Sequence, residues 1–380
     1  MKIRLLTPGP TPVSPEVAAA MAQPMPYHRA AAFKEVVLRS RENLKWLFQT
    51  TKGETLFLTC SGSGAMEGAL VNTLSRGDTI IVVRGGKFGE RWSNIAKAYG
   101  VEAVNIDVEW GKAVAVDAVK KALEQHPKAK AVCVQASETS TGVGHPVKAI
   151  ADLVKGRPDT LMIVDAISAL GVMPLPFDEW QIDVMVAGSQ KALMLPPGLA
   201  FVALSAKAQE AMKKSDLPKF YFSFAKELAS QQKGETAWTP AISLVLGLDV
   251  ALAQMKAEGY EKIVARHHRL AEATRAGAKA MGLELLAPES PSDACTAIKA
   301  PNGIDGQAVV KEMRDRHGII IAGGQDQLKG KIFRLSHMGY VDRFDILTAL
   351  AASGDVLKRL GAKVDVEKGL AAAEAVFNQG

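Results

Sequence analysis

Apolar runs alternate with helical patterns between residues 56 and 204. Runs such as 131–135 and 184–187 show little polar alternation, which is typical of strands buried on both faces of a sheet. Between them, apolar residues recur at helical spacing. The predicted strands are 56–59, 79–83, 101–106, 131–135, 161–164, 184–187 and 199–204. This order predicts an α/β domain with a mostly parallel, seven-stranded sheet covered by helices on both faces.

The pattern changes after residue 218. Residues 219–239 are aromatic and polar without a clear period, and a long helical stretch follows over 242–281. A strand near 296–298, a helix over 306–317, a strand over 332–335 and two closing helices predict a smaller α+β domain. We therefore divide the chain into an extended N-terminal segment, a large domain and a small C-terminal domain, at residues 1–20, 21–245 and 246–380.

Charge and cysteine content limit the class of protein. The net charge of +6 is dispersed, because basic residues alternate with acidic ones as in 311–316, so we expect no nucleic-acid partner. No apolar run is long enough for a bilayer, so we expect no membrane partner. Cys60, Cys133 and Cys295 have no CxxC spacing, which favours a reduced, cytoplasmic protein without a metal site. Small molecules remain the expected ligands.

Lys191 and Asp165 each stand at the end of a predicted buried strand. Ligands of open α/β sheets bind at the carboxyl ends of strands, so both side chains belong at one edge. A desolvated lysine amine can form a Schiff base with an aldehyde, and a buried carboxylate can keep a pyridine nitrogen protonated. Together the pair meets the needs of pyridoxal 5'-phosphate (PLP). Taken singly, Asp165 also fits a helix cap, and Lys191 a surface loop.

The sequence Ser61-Gly62-Ser63-Gly64-Ala65 joins a predicted strand to a predicted helix. Glycines let the backbone approach a ligand, and free amides at a helix start favour an anion. The motif is neither a P-loop nor a dinucleotide fingerprint, since their spacings are absent. A phosphate site and a simple tight turn are both consistent with it.

Two further segments carry polar side chains at strand positions. Arg334 alternates with apolar neighbours in Phe333-Arg334-Leu335, and its guanidinium could grip a substrate carboxylate or form a structural ion pair. The hydroxyl-rich segment 137–142 follows the strand 131–135. Its side chains could bind a ring oxygen or a phosphate, or could cap a helix.

Taken together, the chain resembles the class V aminotransferases of PLP fold type I, and most closely the alanine–glyoxylate and serine–pyruvate (serine–glyoxylate) group. The resemblance runs nearly from end to end. It rests on motifs in the family's order: Pro8-Gly9-Pro10-Thr11, Ser61-Gly62-Ser63-Gly64, Glu138-Thr139-Ser140-Thr141-Gly142, Val164-Asp165-Ala166-Ile167-Ser168, Gly188-Ser189-Gln190-Lys191-Ala192 with Pro196-Pro197-Gly198, and Phe333-Arg334-Leu335.

The resemblance implies roles for individual residues. Lys191 would be the Schiff-base lysine and proton shuttle, and Asp165 the partner of the pyridine nitrogen. Arg334 and Gly9 would bind the substrate. The remaining cofactor contacts would come from Ser63, Gly64, Ala65, Phe88, Thr139, Gln190 and Thr239. Because Thr239 matches a threonine that reaches the neighbouring subunit's phosphate, the resemblance also implies a homodimer with composite sites.

Three positions depart from the family pattern. Phe88 replaces a ring-stacking tryptophan and keeps an aromatic face. Ala65 replaces a histidine, so that only its backbone amide can serve. Thr236 replaces a tyrosine that contacts the neighbouring subunit's phosphate, which puts that contact in doubt.

The implied activity is the exchange of an amino group between a small amino acid, alanine or serine, and a small 2-oxo acid, glyoxylate or pyruvate. A phosphonate or phosphoserine aminotransferase is an alternative on the same fold. A cysteine-desulfurase-like lyase needs a mobile cysteine, whereas Cys295 lies in a strand-like segment. A non-catalytic scaffold protein is disfavoured by the intact Lys191, Asp165 and Arg334.

Overall fold

The strands form one large sheet and three smaller sheets. The structure, a computed structural model, describes residues 2–379. In chain order the strands are β1 (Arg4–Leu5), β2 (Glu54–Leu58), β3 (Thr79–Arg84), β4 (Glu102–Asp107), β5 (Ala131–Gln135), β6 (Ser137–Glu138), β7 (Val143–Gly144), β8 (Leu161–Asp165), β9 (Val184–Gly188), β10 (Ala200–Leu204), β11 (Cys295–Lys299), β12 (Ile319–Ile320), β13 (Ala322–Gly323) and β14 (Ile332–Ser336).

Helices connect the strands of the large sheet and build most of the C-terminal third. In chain order they are α1 (Pro15–Met21), α2 (Ala31–Phe48), α3 (Gly62–Thr73), α4 (Lys87–Ala98), α5 (Val116–Gln125), α6 (Val147–Val154), α7 (Ala206–Lys214), α8 (Phe224–Gln231), α9 (Ile242–Glu258), α10 (Tyr260–Ala280), α11 (Gly306–His317), α12 (Arg343–Arg359) and α13 (Val366–Asn378).

The large sheet has seven strands in the order β2-β10-β9-β8-β5-β3-β4. Only β10 runs antiparallel to its neighbours, β2 and β9. The adjacent strands β5, β8 and β9 are parallel, so their carboxyl ends meet at one edge. The prediction of a mostly parallel seven-stranded sheet is confirmed.

Alternate residues of each central strand face two different apolar layers. On β9, Met185 and Ala187 belong to one cluster of buried side chains, whereas Val184 and Val186 belong to the other. This is the two-residue period of a strand covered on both faces. Burial of each such aliphatic side chain stabilises the folded state by roughly 1.5–3 kcal/mol. The sheet is therefore a rigid base for the residues at its edge.

The small domain packs helices on short strands. Strand β14 pairs antiparallel with β11 and β13. The N-terminal strand β1 pairs with β12, and Leu6 packs in the apolar cluster of this domain. The start of the chain therefore belongs to the small domain in space.

The helical stretch predicted over 242–281 is two helices, so the prediction of one continuous pattern was wrong. Gly259 separates α9 from α10 with φ 93° and ψ 139°, which L residues rarely adopt. The buried face of α9 joins the core of the large sheet, as does Ile263 of α10, whereas Leu270 and later residues of α10 join the cluster of the small domain. The predicted division between residues 245 and 246 thus falls within α9.

Helix α8 forms inside the segment 219–239, where no period is visible in the sequence. Ser223 caps it by accepting a hydrogen bond from the Lys226 amide at 3.4 Å. Among residues 2–379, no helix combines the length and apolar character needed to cross a bilayer.

Candidate active site

Most of the residues predicted to bind a cofactor or substrate lie where the large sheet meets the small domain. Asp165 ends β8, Lys191 follows β9, and Thr139 follows the short strand β6, which comes just after β5. The start of α3 contributes Ser63, and β14 of the small domain contributes Arg334. Because β5, β8 and β9 are neighbours, the carboxyl-end rule for open sheets places these side chains together.

Lys191 is buried beneath the N-terminal segment. Its Nζ donates a hydrogen bond to the carbonyl oxygen of Pro8, and its own carbonyl accepts from the Thr11 hydroxyl at 2.7 Å. A Cβ at Gly9 would lie 2.7 Å from the Lys191 Cε, so the close cover requires glycine there. Burial lowers the pKa of Lys191 to about 8, while the charge of Asp165 opposes this shift. The amine is therefore poised to act as a nucleophile near neutral pH.

Asp165 has one engaged and one free carboxylate oxygen. Its Oδ1 accepts a hydrogen bond from the Ile167 amide at 2.8 Å, and no donor in residues 2–379 reaches Oδ2. Burial raises the pKa of Asp165 to about 7, with the charges of Arg91 and Lys191 opposing this shift. A cationic ring nitrogen at Oδ2 would restore the ionised form.

The start of α3 presents free amides. Within the described chain the Gly62 and Ser63 amides donate to no acceptor, whereas those of Gly64 and Ala65 point to the Ser61 carbonyl at 2.9 and 3.4 Å. A Cβ at Gly64 would lie 2.8 Å from the Cys60 sulfur, so the turn cannot admit a larger residue without movement. The open amides and the helix dipole suit an anion.

Arg91 also belongs to this corner, although the sequence analysis did not identify it. Its Nη1 donates to the Ser63 hydroxyl at 2.9 Å, and its guanidinium lies 5.1 Å from the ring centroid of Phe88. Arg91 is three positions after Phe88 on α4, which places the two side chains on the same helix face. That spacing is the signal that could have found it.

Arg334 and Cys295 both donate to the Thr139 carbonyl. Arg334 Nη1 lies 2.6 Å from that oxygen, and Cys295 Sγ lies 3.6 Å from it. Arg334 Nε and Nη2 bond the Gly323 carbonyl at 3.0 and 2.7 Å. A guanidinium has five N–H groups, so one remains on each terminal nitrogen for a carboxylate. Burial raises the pKa of Cys295 to about 11, which keeps the thiol protonated.

Glu138 is a second residue that the sequence analysis did not single out. Its buried carboxylate accepts hydrogen bonds from the Phe88 and Gly89 amides at 3.1 and 3.0 Å, and from the amide and hydroxyl of Ser140 at 3.2 and 2.5 Å. Gln135 Nε2 donates at 3.2 Å. Burial raises the pKa of Glu138. Its position after a buried strand was the available signal.

Gln190, Thr236 and Thr239 differ in their surroundings. Gln190 Oε1 is buried without a hydrogen-bond partner in the described residues. The Thr236 hydroxyl donates to the Trp238 carbonyl of its own chain at 2.6 Å. Thr239 is exposed, whereas the other predicted cofactor residues apart from Thr236 are buried or half-buried and lie at strand ends and helix starts.

These features fit an anionic ligand that carries an aldehyde and a basic ring nitrogen. A buried amine, a half-free carboxylate, unpaired amides and the unpartnered Gln190 oxygen line one region. Within residues 2–379, no group of three or more His, Cys, Asp or Glu side chains is arranged to hold a metal ion.

Comparisons with known proteins agree with this chemistry. The aminotransferase class-V family model matches residues 7–346. A Synechococcus protein (strain PCC 6716) named soluble hydrogenase, small subunit, is 44% identical over 99% of each chain. The L-aspartate–glyoxylate aminotransferase of Paracoccus denitrificans is 33% identical over 99% of this chain and 96% of its own.

A solved structure matches the whole architecture. Pyridoxamine–pyruvate aminotransferase from Mesorhizobium loti superposes with a TM-score of 0.94 and 30% identity, over 99% of this chain and 97% of that one. The family model, the relative from Paracoccus denitrificans and the solved structure all point to the same family. The chain belongs to the class V aminotransferases and is an enzyme of that family.

Proposed function

We propose that this aminotransferase uses PLP to exchange the amino group of alanine or serine with glyoxylate or pyruvate. The observation that carries the proposal is the buried amine of Lys191 beside the buried carboxylate of Asp165 at adjacent strand ends. When bound, PLP supplies an aldehyde and an electron-accepting ring. The three free cysteines fit a reducing, cytoplasmic location.

Lys191 and Asp165 divide the proton chemistry between them. With its pKa lowered to about 8 by burial, the Lys191 amine is partly neutral near pH 7 and can accept a proton from the substrate α-carbon. Asp165 Oδ2, free of protein donors in the described residues, would hold a proton on the ring nitrogen when PLP is bound. The N-terminal segment covers the amine and excludes water.

The other predicted residues bind and orient. We assign the phosphate to the α3 start, where the resemblance names Ser63, Gly64 and Ala65 and the open amides are those of Gly62 and Ser63, with Gln190 beside it. Phe88 would stack on the ring, and Thr139 would lie near the ring hydroxyl. Arg334 takes the substrate carboxylate with its two remaining N–H groups, close to Gly9.

We also propose a homodimer in which Thr239 reaches the partner's phosphate. An exposed aromatic surface surrounds it: Phe220 is 70% exposed and Tyr221 is 41% exposed. Tyr221 and Phe220 both pack on Trp238, with ring centroids 5.9 and 4.9 Å apart. Contiguous exposed aromatic side chains are typical of protein interfaces. We call Phe220, Tyr221 and Trp238 the aromatic patch.

Borohydride reduction tests the cofactor assignment. Purified protein supplied with PLP is reduced, digested and analysed by mass spectrometry. We expect a pyridoxyl group on the peptide that contains Lys191, and none in Lys191→Ala. Asp165→Asn should retain the adduct but lose roughly 10²–10⁴-fold in turnover, the range of a positioned acid–base group. Wild-type protein without the adduct would refute the assignment.

A panel of substrates tests the reaction. Alanine and serine with glyoxylate or pyruvate are expected to give full turnover, whereas aspartate and phosphoserine are not. Sulfide release from cysteine without amino transfer would favour the lyase alternative. The protonated, fully buried Cys295 thiol argues against that chemistry, because a thiolate is the nucleophilic form.

A further inference from the structure

We propose that Arg91 is a phosphate-binding residue of this site and makes it selective for the phosphorylated form of the cofactor. This inference rests on the proposed function and adds a charged side chain to a cradle otherwise assigned to backbone amides. Such a residue would make the site prefer PLP to unphosphorylated compounds such as pyridoxamine, which the name of the Mesorhizobium loti enzyme gives as its substrate.

The position of Arg91 is defined from two sides. Its Nη1 bonds the Ser63 hydroxyl at 2.9 Å, on the first turn of α3 where the amides of Gly62 and Ser63 are open. Its guanidinium lies over the Phe88 ring at 5.1 Å from the centroid. Because Arg91 contacts both the anion cradle and the aromatic ring of Phe88, it would lie close to the phosphate of a PLP whose ring stacks on Phe88.

Arg91 has no acidic neighbour to neutralise it. Among residues 2–379, no carboxylate lies within 4.0 Å of its guanidinium, although the side chain is half-buried. The nearby acids are engaged elsewhere: Glu90 pairs with Lys87 at 2.8 Å, and Glu67 accepts from the Tyr99 hydroxyl at 2.5 Å. A partly buried cation without an acidic partner in the described residues favours an anion in its vicinity.

The charge of Arg91 also reaches the reacting groups. After burial, it is among the influences on the pKa values of both Asp165 and Lys191, and it lowers each. The Arg91 guanidinium therefore contacts the cradle at Ser63 and carries a charge that also acts on Lys191 and Asp165. A phosphate dianion would neutralise it, since arginine forms two-point, charge-assisted hydrogen bonds with phosphate.

Two aldehydes that differ only in the phosphate test the assignment. Protein freed of endogenous cofactor with hydroxylamine is titrated with PLP and with pyridoxal, and binding is followed by visible absorbance. Wild-type protein should bind PLP more tightly than pyridoxal. In Arg91→Gln the PLP affinity should fall roughly 10- to 100-fold, as for lost charge-assisted hydrogen bonds, while the pyridoxal affinity changes little. Arg91→Lys, which keeps the charge, should recover part of the preference.

The matched control is Arg84→Gln. Arg84 is also half-buried near α4, but its Nε pairs with Asp107 at 2.7 Å, so both affinities should stay at the wild-type values. Equal weakening of PLP and pyridoxal in Arg91→Gln would overturn the inference, because Arg91 would then act only through the Phe88 ring. Equal wild-type affinities for the two aldehydes would overturn it as well. Wild-type protein that binds neither aldehyde would refute the proposed function itself, and the inference with it.

Discussion

Burial decides the chemistry of single residues in this site. Lys191 and Asp165 are ordinary side chains whose pKa values move toward neutrality because the sheet edge removes them from water. Cys295 shares this environment but stays protonated, since the same burial raises its pKa. The sequence indicated the lysine and the aspartate from their strand-end positions, whereas Arg91 emerged only from its contacts with Ser63 and Phe88.

Burial of the Lys191 amine destabilises the cofactor-free protein. Its pKa is about 8 in the folded chain and 10.5 as the ordinary value, so the unfolded chain binds the extra proton between these pH values. The loss of unfolding free energy is therefore largest below pH 8, and it disappears as the pH rises toward 10.5. We expect cofactor-free Lys191→Met to be more stable than wild-type protein by up to about 3 kcal/mol below that window.

Urea unfolding at several pH values measures this difference. The advantage of Lys191→Met should shrink steadily across the window. Lys120→Met, at an exposed position of α5, serves as the control and should stay within about 0.5 kcal/mol of wild type at each pH. An advantage that does not depend on pH would contradict the assignment of the cost to the lysine charge.

At the scale of elements, strand ends and helix starts supply the site, and short loops connect them. Glu138 ties two such pieces together, because its carboxylate bonds the start of α4 at Phe88 and Gly89 and the loop at Ser140. The Thr139 carbonyl in that loop in turn holds Arg334. The strands and most helices were predictable from apolar spacing. The break at Gly259 was not, since the apolar pattern continues across it.

Glu138→Gln should loosen this connection. A glutamine has one acceptor oxygen and places an NH₂ group where the second carboxylate oxygen was, so buried amides that donate to that oxygen lose their acceptor. We expect the unfolding free energy of the variant to fall by about 1–3 kcal/mol. Chemical denaturation measures the loss. Glu67→Gln is the matched control, because Glu67 accepts only from Tyr99 and a glutamine oxygen can replace it. Equal stability of the two variants would show that Glu138 does not join the elements.

At the scale of the whole molecule, the N-terminal segment connects the two domains. Strand β1 pairs with β12 of the small domain, the Leu6 carbonyl accepts from the Ser336 amide at 2.9 Å, and Pro8 covers Lys191. The N-terminal segment therefore contacts both β14, which carries Arg334, and the amine of Lys191. No local sequence pattern indicates these contacts. The aromatic patch joins the two ends of the segment 219–239, because Phe220 and Tyr221 pack on Trp238, which directly precedes Thr239.

The proposed dimer predicts that Phe220→Asp shifts the protein toward monomers. A charge in an aromatic interface should raise the dimer dissociation constant roughly 30-fold or more, as expected for a central interface residue. Light scattering after size exclusion, over a range of concentrations, measures the change. Phe344→Asp offers a matched control, since Phe344 is 67% exposed on the small domain. The same mass for wild type and both variants would contradict the placement of the interface.

The sequence alone determined the sheet, the strand-end positions of Lys191 and Asp165, and the family resemblance, because buried strands and glycine turns leave local patterns. Tertiary structure alone decided how the site is completed. It brought Arg91 to Ser63, tied Glu138 to the start of α4, placed Pro8 on the lysine amine, and attached the first strand to the small domain. These contacts join residues far apart in the chain, and their energies depend on burial and direction, which spacing along a sequence does not encode.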